Sequence, residues 1–599
     1  MKIWITNFLK EHWRGVVVGL LAVGFFALVS SLNYSGHGEF VKWSSPDETA
    51  NYVFTKLYGQ SGQISFFEKY NLYADEVMHP RSMRSDIGTI KPVSFLGIIL
   101  IYGKIVSLTS YKIIPYLTPF FGAVGIVFFY LLIRKIFGKT NALLSAVLLA
   151  GFPVWIYYSV RSMFHNVLFV SLLMIGLYFL LKMADKKFKA GFFSWKADWL
   201  GMLYASLAGI FIGLASITRT SELLWILPML FILWILNLKK TGLIKLFIFL
   251  SFTFLALMPA LFWNQILYGS PISGGYAEMN QSIHSIREAS SDLVKATVAY
   301  EPSYIKYLVG RIKENVFFFG FKPEQSMKMF YHYFAGMFTW FFIPACLGLF
   351  LYLQRIYKWK KAIWVFFLAY AVISVILVFY YGSWKFNDNP DLSSHTIGNS
   401  YTRYWLPMYL GSFPLISFFL IIFTYSIIPE ESEVFQEEKR PWWKKFLKRP
   451  RRKVMTLGTR ALIVGIFFIL SANFVFLGSE EGIVYSRANS RYSTVQLERI
   501  LDWTESNSVV ITQYHDKLVF PERKVIVGTL TDDNMNMIYS RLIDYLPVYY
   551  YSFTFPTKDF DYLNNKKLKE FGIRLERVKK ITEDFTLYRL YRPSETLEE

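Results

Sequence analysis

Eleven long apolar runs divide this chain, and they admit one kind of fold, a bundle of helices that cross a membrane. The runs cover residues 16–32, 114–133, 142–158, 167–181, 200–217, 223–238, 246–266, 334–353, 362–381, 405–427 and 461–477. A chain of 599 residues that is 54% hydrophobic and only 18% charged has the composition of a membrane protein. Its formal net charge of +21 does not point to nucleic acid, because the basic residues gather in short loops between the runs. These are Arg134, Lys135 and Lys139; Lys182, Lys186, Lys187 and Lys189; Lys239 and Lys240; Arg355, Lys358, Lys360 and Lys361; and the stretch 439–453. The positive-inside rule places all of them on the cytoplasmic side.

The first run follows Lys10 and Arg14 without a small-x-small cleavage site, so it reads as an uncleaved anchor with a cytoplasmic N-terminus. A twelfth apolar stretch, 93–108, is interrupted by Lys104. A full crossing there would turn the early basic loops outward, so it is assigned to the first external loop as a re-entrant or interfacial helix. The expected fold is therefore a polytopic α-helical membrane module, residues 1–478, with about eleven crossings. Its external loops are 33–113, 267–333 and 382–404, and its cytoplasmic linker is 428–458. Residues 479–599 alternate polar stretches with strand-like runs at 508–512, 524–527, 546–552 and 585–591, with helical patterns at 494–504 and 564–571. They predict a small external α/β domain. The lone cysteine, Cys346, excludes an internal disulfide.

None of the eleven runs contains an Asp, Glu, Lys, Arg or His side chain, and no pair of broken helices recurs in two matching halves. Proton-coupled transporters usually carry buried acids or bases near the midplane, so the chemistry is sought in the external loops. There the stretch Lys42-Trp-Ser-Ser-Pro-Asp47-Glu48 predicts a helix start with Ser45 as N-cap, Pro46 in the first turn and Glu48 closing a capping box. Asp47 and Glu48 then either complement the helix dipole or supply a general base at the membrane surface, and spacing alone favours neither.

The same loop carries Asp75, Glu76, His79, Arg81, Arg84, Asp86 and Lys91. Arg81, Arg84 and Lys91 suit a lipid phosphate, or else snorkel at the interface. A metal on His79 with Asp75 or Asp86 is possible but weak, since no pair has the spacing of a known structural site; no cofactor is required, and a divalent metal is possible but not supported. Farther on, the turn from Trp263 through Tyr268 to Tyr276 and the segment Ser400-Tyr401-Thr402-Arg403 put aromatics and an arginine at span ends. They line a groove or belong to the interfacial belt.

Taken in order, the acidic pair, Lys91-Pro92 before an apolar helix, Arg134-Lys-Ile-Phe137-Gly138 and Asn264…Tyr268-Gly-Ser-Pro271…Gly275-Tyr276 resemble the C-type (GT-C) membrane glycosyltransferases. Within these, the likeness is to the family 39-like enzymes, relatives of protein O-mannosyltransferases and of the aminoarabinose transferase. It implies inverting transfer of a sugar from a polyprenyl-phosphate donor to a protein, lipid or glycan acceptor on the external face. It also implies that Asp47 is the catalytic base with Glu48 beside it, and that Lys91 contacts the donor phosphate. Arg81, Arg84 and Arg403 are added on chemical grounds, and Tyr268, Tyr276, Tyr401 and His165 as groove residues. The family's second acid, expected after a Ser-Arg in the next external loop, is missing from Ser159-Val-Arg161-Ser-Met-Phe-His165. His165 either substitutes for it or caps the following helix. The rival readings are a lipid or polysaccharide exporter and a non-catalytic sensor or scaffold.

Overall fold

A computed structural model describes residues 2–33, 41–185, 199–275, 320–386, 388, 394–427, 451–478 and 481–593. The linker around 428–450 and Tyr276 lie outside the described residues. Helix α1 (Lys2–Leu32) leads into a loop built from α2 (Pro46–Ser61), the short antiparallel strands β1 (Phe66–Phe67), β2 (Met83–Asp86) and β3 (Thr89–Pro92), and α3 (Gly97–Leu108). The bundle continues with α4 (Ile114–Phe137), α5 (Lys139–Ala150), α6 (Pro153–Val160), α7 (His165–Met183), α8 (Trp199–Thr218), α9 (Leu223–Leu236) and α10 (Leu238–Tyr268). It is completed by α11 (Pro323–Phe330), α12 (Thr339–Leu353), α13 (Lys361–Gly382), the single turn α14 (Ser400–Tyr404), α15 (Leu406–Ile427) and α16 (Arg451–Ala472).

Among the described residues, eight helices are long and apolar enough to cross a membrane singly, and two sharply bent helix pairs reach that length and apolarity together. The expected span 142–158 is one of these: α5 and α6 meet at 51°, because Gly151 and Pro153 interrupt the hydrogen-bond ladder. The expected span 334–353 is the other, α12 meeting the turn that follows α11 at 99°. Helix α9 has only 14 residues, about 21 Å of helix. It nonetheless runs antiparallel to the whole of α13: Arg219, just before α9, reaches the Tyr381 hydroxyl at one end, and Lys361 donates to the Leu236 carbonyl at the other. Helix α3 spans about 18 Å, too short for a bilayer core of roughly 30 Å. It packs instead closely on α2, glycine against side chain on each helix: a Cβ on Gly103 would stand 2.5 Å from Tyr58 Cδ1, and one on Gly59 would stand 2.3 Å from Val106 Cγ1.

The C-terminal domain comprises α17 (Ile483–Asp502), β4 (Val509–Thr512), α18 (Asp516–Val519), β5 (Lys524–Val527), α19 (Asp533–Leu542), β6 (Val548–Phe553), α20 (Thr557–Tyr562), β7 (Arg574–Lys580) and β8 (Phe585–Tyr591). Its sheet runs β5-β4-β6-β8-β7, with β4 parallel to both neighbours and the remaining pairs antiparallel. Four strands fall where the apolar runs predicted them. Strand β7 and helix α19 were not anticipated, and the predicted helix 564–571 is a pair of short irregular turns. The domain rests on the first loop: Lys42 donates to the Phe520 carbonyl at 2.8 Å, the rings of Phe66 and Phe520 stack, and so do those of Tyr73 and Tyr545.

Candidate functional site

Helix α2 begins as its sequence requires. Ser45 is an extended N-cap, its hydroxyl accepts from the Asp47 amide at 3.3 Å, and its own amide donates to Glu48 Oε2 at 3.2 Å. From that common start the two acids diverge. Glu48 is 1% exposed and accepts two bonds from Arg161, at 3.2 Å from Nε and 2.8 Å from a terminal nitrogen. Its charge is thereby matched by Arg161 at the end of α6. Asp47 stays half-buried, and its Oδ1 accepts from the Ser82 hydroxyl at 2.5 Å. One turn along the same helix face, Asn51 accepts from Ser94 Oγ and donates to the Met163 carbonyl, fixing α2 against the start of α7.

Ser82 joins this carboxylate to the Lys91 strand. Its carbonyl accepts from the Val93 amide, Met83 pairs with Pro92, and Arg84 pairs with Lys91. Lys91 is 3% exposed, donates to the Leu267 carbonyl at 2.9 Å and Asp86 at 3.2 Å, and sits 5.3 Å from the Tyr268 ring centre. The Tyr268 hydroxyl in turn donates to the Pro92 carbonyl at 2.5 Å. A Cβ on Gly275 would meet the Val93 oxygen at 2.4 Å, so the 268–275 turn lies directly on the Lys91-Pro92 strand.

A line of arginines and rings borders the acids. The Arg161 and Arg403 guanidinium carbons stand 4.9 and 4.4 Å from the Phe164 ring centre, and Arg403 and Arg219 stand 5.2 and 4.4 Å from that of Tyr404. Arg219 pairs with buried Glu222 at 2.8 Å, and Tyr381 donates to the same carboxylate at 2.7 Å. Arg403 donates to Ser400 Oγ at 2.7 Å. Burial disfavours its charge, but the nearby Tyr404, Tyr158, Asp388 and Asp47 outweigh that and hold it protonated. Arg161 and Arg219 are matched by Glu48 and Glu222, so the guanidinium of this edge that suits an anion is Arg403, set between aromatic faces.

Other expected site residues are placed differently. Arg81 is bound to the C-terminal domain: its amide donates to Asp516 Oδ2 at 2.9 Å, its Nε to Oδ1 at 3.0 Å and a terminal nitrogen to Oδ1 at 2.5 Å. That commits Arg81 to a carboxylate instead of a phosphate cradle. His165 faces the Phe95 carbonyl at 3.1 Å through Nε2 and makes no cap bond. Tyr401 is buried among Tyr333, Phe386 and Trp405 with its hydroxyl on the Trp384 carbonyl, which makes it packing and not a groove wall. Lys517, from the C-terminal domain, donates to the Ser44 carbonyl next to the N-cap. Burial lowers its pKa to about 8, with the charges of Arg161 and Arg81 acting in the same direction. Sequence reasoning missed Ser82, Arg161, Arg219, Glu222, Asp516 and Lys517. Only Arg219 and Glu222 left a signal, as opposite charges in the short gap between two apolar runs.

The sequence pattern of the family described as dolichyl-phosphate-mannose-protein mannosyltransferase matches residues 113–263. No curated protein matches the chain. Among solved structures, the oligosaccharyltransferase of Archaeoglobus fulgidus, tethered to an acceptor peptide, is 13% identical with a TM-score of 0.52, over 91% of this chain and 70% of that one. ArnT from Cupriavidus metallidurans bound to undecaprenyl phosphate is 11% identical with a TM-score of 0.49, over 98% of both chains. That family pattern lies over the central helices of the chain, and the chain shares the fold of the oligosaccharyltransferase along most of its length.

Proposed function

We propose that the protein transfers a sugar from a polyprenyl-phosphate donor to an acceptor hydroxyl or amide on the external face of the membrane, with inversion at the anomeric carbon and Asp47 as general base. The observation that carries this reading is the separation of the acid pair. Arg161 neutralises Glu48, while Asp47 is oriented by one short hydrogen bond near the guanidinium of Arg403. A base beside a fixed cation is what displacement of a phosphate requires.

In the reaction, the acceptor's oxygen or nitrogen attacks the anomeric carbon from the face opposite the phosphate. Asp47 takes the acceptor proton, the carbon–oxygen bond to the phosphate breaks, and the polyprenyl phosphate leaves with the electron pair. Arg403 balances the charge that develops on the leaving oxygen, and Lys91, held against Tyr268, supports the donor side. The match of residues 113–263 to the family described as dolichyl-phosphate-mannose-protein mannosyltransferase supports the donor class. The distribution of basic loops supports a cytoplasmic N-terminus and an external C-terminal domain in the cell membrane.

The test is turnover of a panel of radiolabelled polyprenyl-phosphate sugars by wild type and Asp47→Asn in nanodiscs. Loss of donor in the wild type, abolished in the variant while donor binding persists, supports the base. Equal consumption by both removes Asp47 from the mechanism. Failure of the wild type on every donor favours export or scaffolding.

A further inference from the structure

Ser82, the residue that holds Asp47, has a backbone φ of +63°, in the left-handed region that non-glycine residues seldom adopt. Such a conformation persists where surrounding contacts over-determine it. Three contacts do so here. The Ser82 hydroxyl is on Asp47, its carbonyl is on the Val93 amide, and the preceding residue, Arg81, is gripped by Asp516 through both its backbone amide and its guanidinium. Asp516 is 0% exposed and comes from the first residue of α18, in the C-terminal domain. Its neighbour Lys517 donates to the Ser44 carbonyl, one residue before the N-cap of α2. The domain thus grips the first loop on both sides of Asp47, beside Ser82 and ahead of the helix start.

We infer that Asp516 is a positioning residue for the transfer reaction: through Arg81 it keeps Ser82 in its strained conformation, so that the Ser82 hydroxyl aims the Asp47 carboxylate. The C-terminal domain then acts as part of the catalytic frame, whatever it does in acceptor recognition. This rests on the reading of Asp47 as the base. The pair Arg541 and Asp75, at 2.5 Å, and the pair Lys524 and Glu68, at 3.4 Å, also tie the domain to the loop, but neither leads to Asp47.

The experiment is a double-mutant cycle in the full-length enzyme, with Asp516→Asn, Ser82→Ala and the pair, reading kcat and donor KM separately. Arg541→Ala/Lys524→Ala serves as the control for domain docking, and Asp47→Asn as the control for the base. Each single change is expected to lower kcat by about tenfold or more at unchanged donor KM. The double variant is expected to be no slower than Ser82→Ala alone, since both changes remove one interaction. The docking control is expected to retain wild-type kcat. Unchanged kcat in Asp516→Asn, losses that multiply in the double variant, or an equal loss in the docking control each overturn the positioning role. Should Asp516→Asn fail to fold, Arg81→Ala, which removes the half-exposed side of the clamp, takes its place in the same cycle under the same criteria. Wild-type kcat in Asp47→Asn overturns the base itself, and the positioning role falls with it. An inactive Asp47→Asn with multiplying losses overturns only the positioning role.

Discussion

A terminal nitrogen of Arg161 lies 2.8 Å from Glu48 Oε2, in a pair whose side chains are 11% and 1% exposed. The contact joins the first turn of α2 to the end of α6 across 113 residues of sequence. It also explains how two adjacent acids can have unlike roles. Removing one partner of a buried pair leaves an uncompensated charge, at a cost of about 3–5 kcal/mol. Arg161→Ala is therefore expected to lower the thermal unfolding temperature in detergent markedly, and Arg161→Ala/Glu48→Gln to recover much of that loss. A double variant no more stable than Arg161→Ala would show that the pair does not act as a unit.

Arg403 is placed to test the anion side of the site. Its guanidinium is packed between Phe164 and Tyr404 and anchored on Ser400, so its planar fork is already ordered. Lysine offers a point charge without that fork or the stacking. Arg403→Lys is expected to weaken donor binding by about tenfold or more, since one lost charge-assisted hydrogen bond is worth roughly 1.5–3 kcal/mol. Titration of a polyprenyl-phosphate sugar against purified protein measures this, and unaltered affinity would place the phosphate elsewhere.

Lys517 predicts a pH dependence of stability. Burial holds its folded pKa at about 8, below the 10.5 of a lysine free in water. Between those values the unfolded chain keeps the proton and the folded chain releases it. Stability therefore rises with pH across that window, and the cost of the buried charge is fully present below it. Lys517→Met is expected to flatten this rise, and the difference between the two unfolding curves from pH 7 to 10.5 isolates the effect from other titrating groups. Parallel curves would mean that Lys517 keeps its proton in the folded protein.

The parts of the molecule that were legible in the sequence are those fixed by local chemistry. The start of α2 is a contact between residues three apart, and β4, β5, β6 and β8 are short apolar runs that need a sheet. Strand β7, Arg-Leu-Glu-Arg-Val-Lys-Lys, is an exposed edge whose charges guard against further pairing and erase the apolar signal. Strands β2 and β3 are four residues each and carry the site's own polar groups. The break at Gly151-Phe152-Pro153 was visible as residues, yet the apolar run around it looked continuous. In the site, Asp47, Glu48 and Lys91 stood out as residue types, whereas their partners did not. The bond from Arg81 to Asp516 spans 435 positions, and nothing near either residue announces the other.

Gly275 provides the last test, because it lets one site segment lie on another. A Cβ there would stand 2.4 Å from the Val93 oxygen and 2.6 Å from its Cα, and backbone atoms in β3's continuation cannot retreat as a flexible side chain would. Gly275→Ala must therefore lift the turn that carries Tyr268 and the Leu267 carbonyl, both of which hold Lys91. Overpacking of this kind costs about 1–3 kcal/mol. The burden falls first on the approach of the two segments and reaches Asp47 only indirectly, through the Val93 amide that holds the Ser82 carbonyl. Donor KM is expected to rise several-fold with a smaller change in kcat, the pattern of lost ground-state binding. If instead kcat falls at constant KM, the contact between the Lys91 strand and the 268–275 turn serves the chemical step and not the grip on the donor.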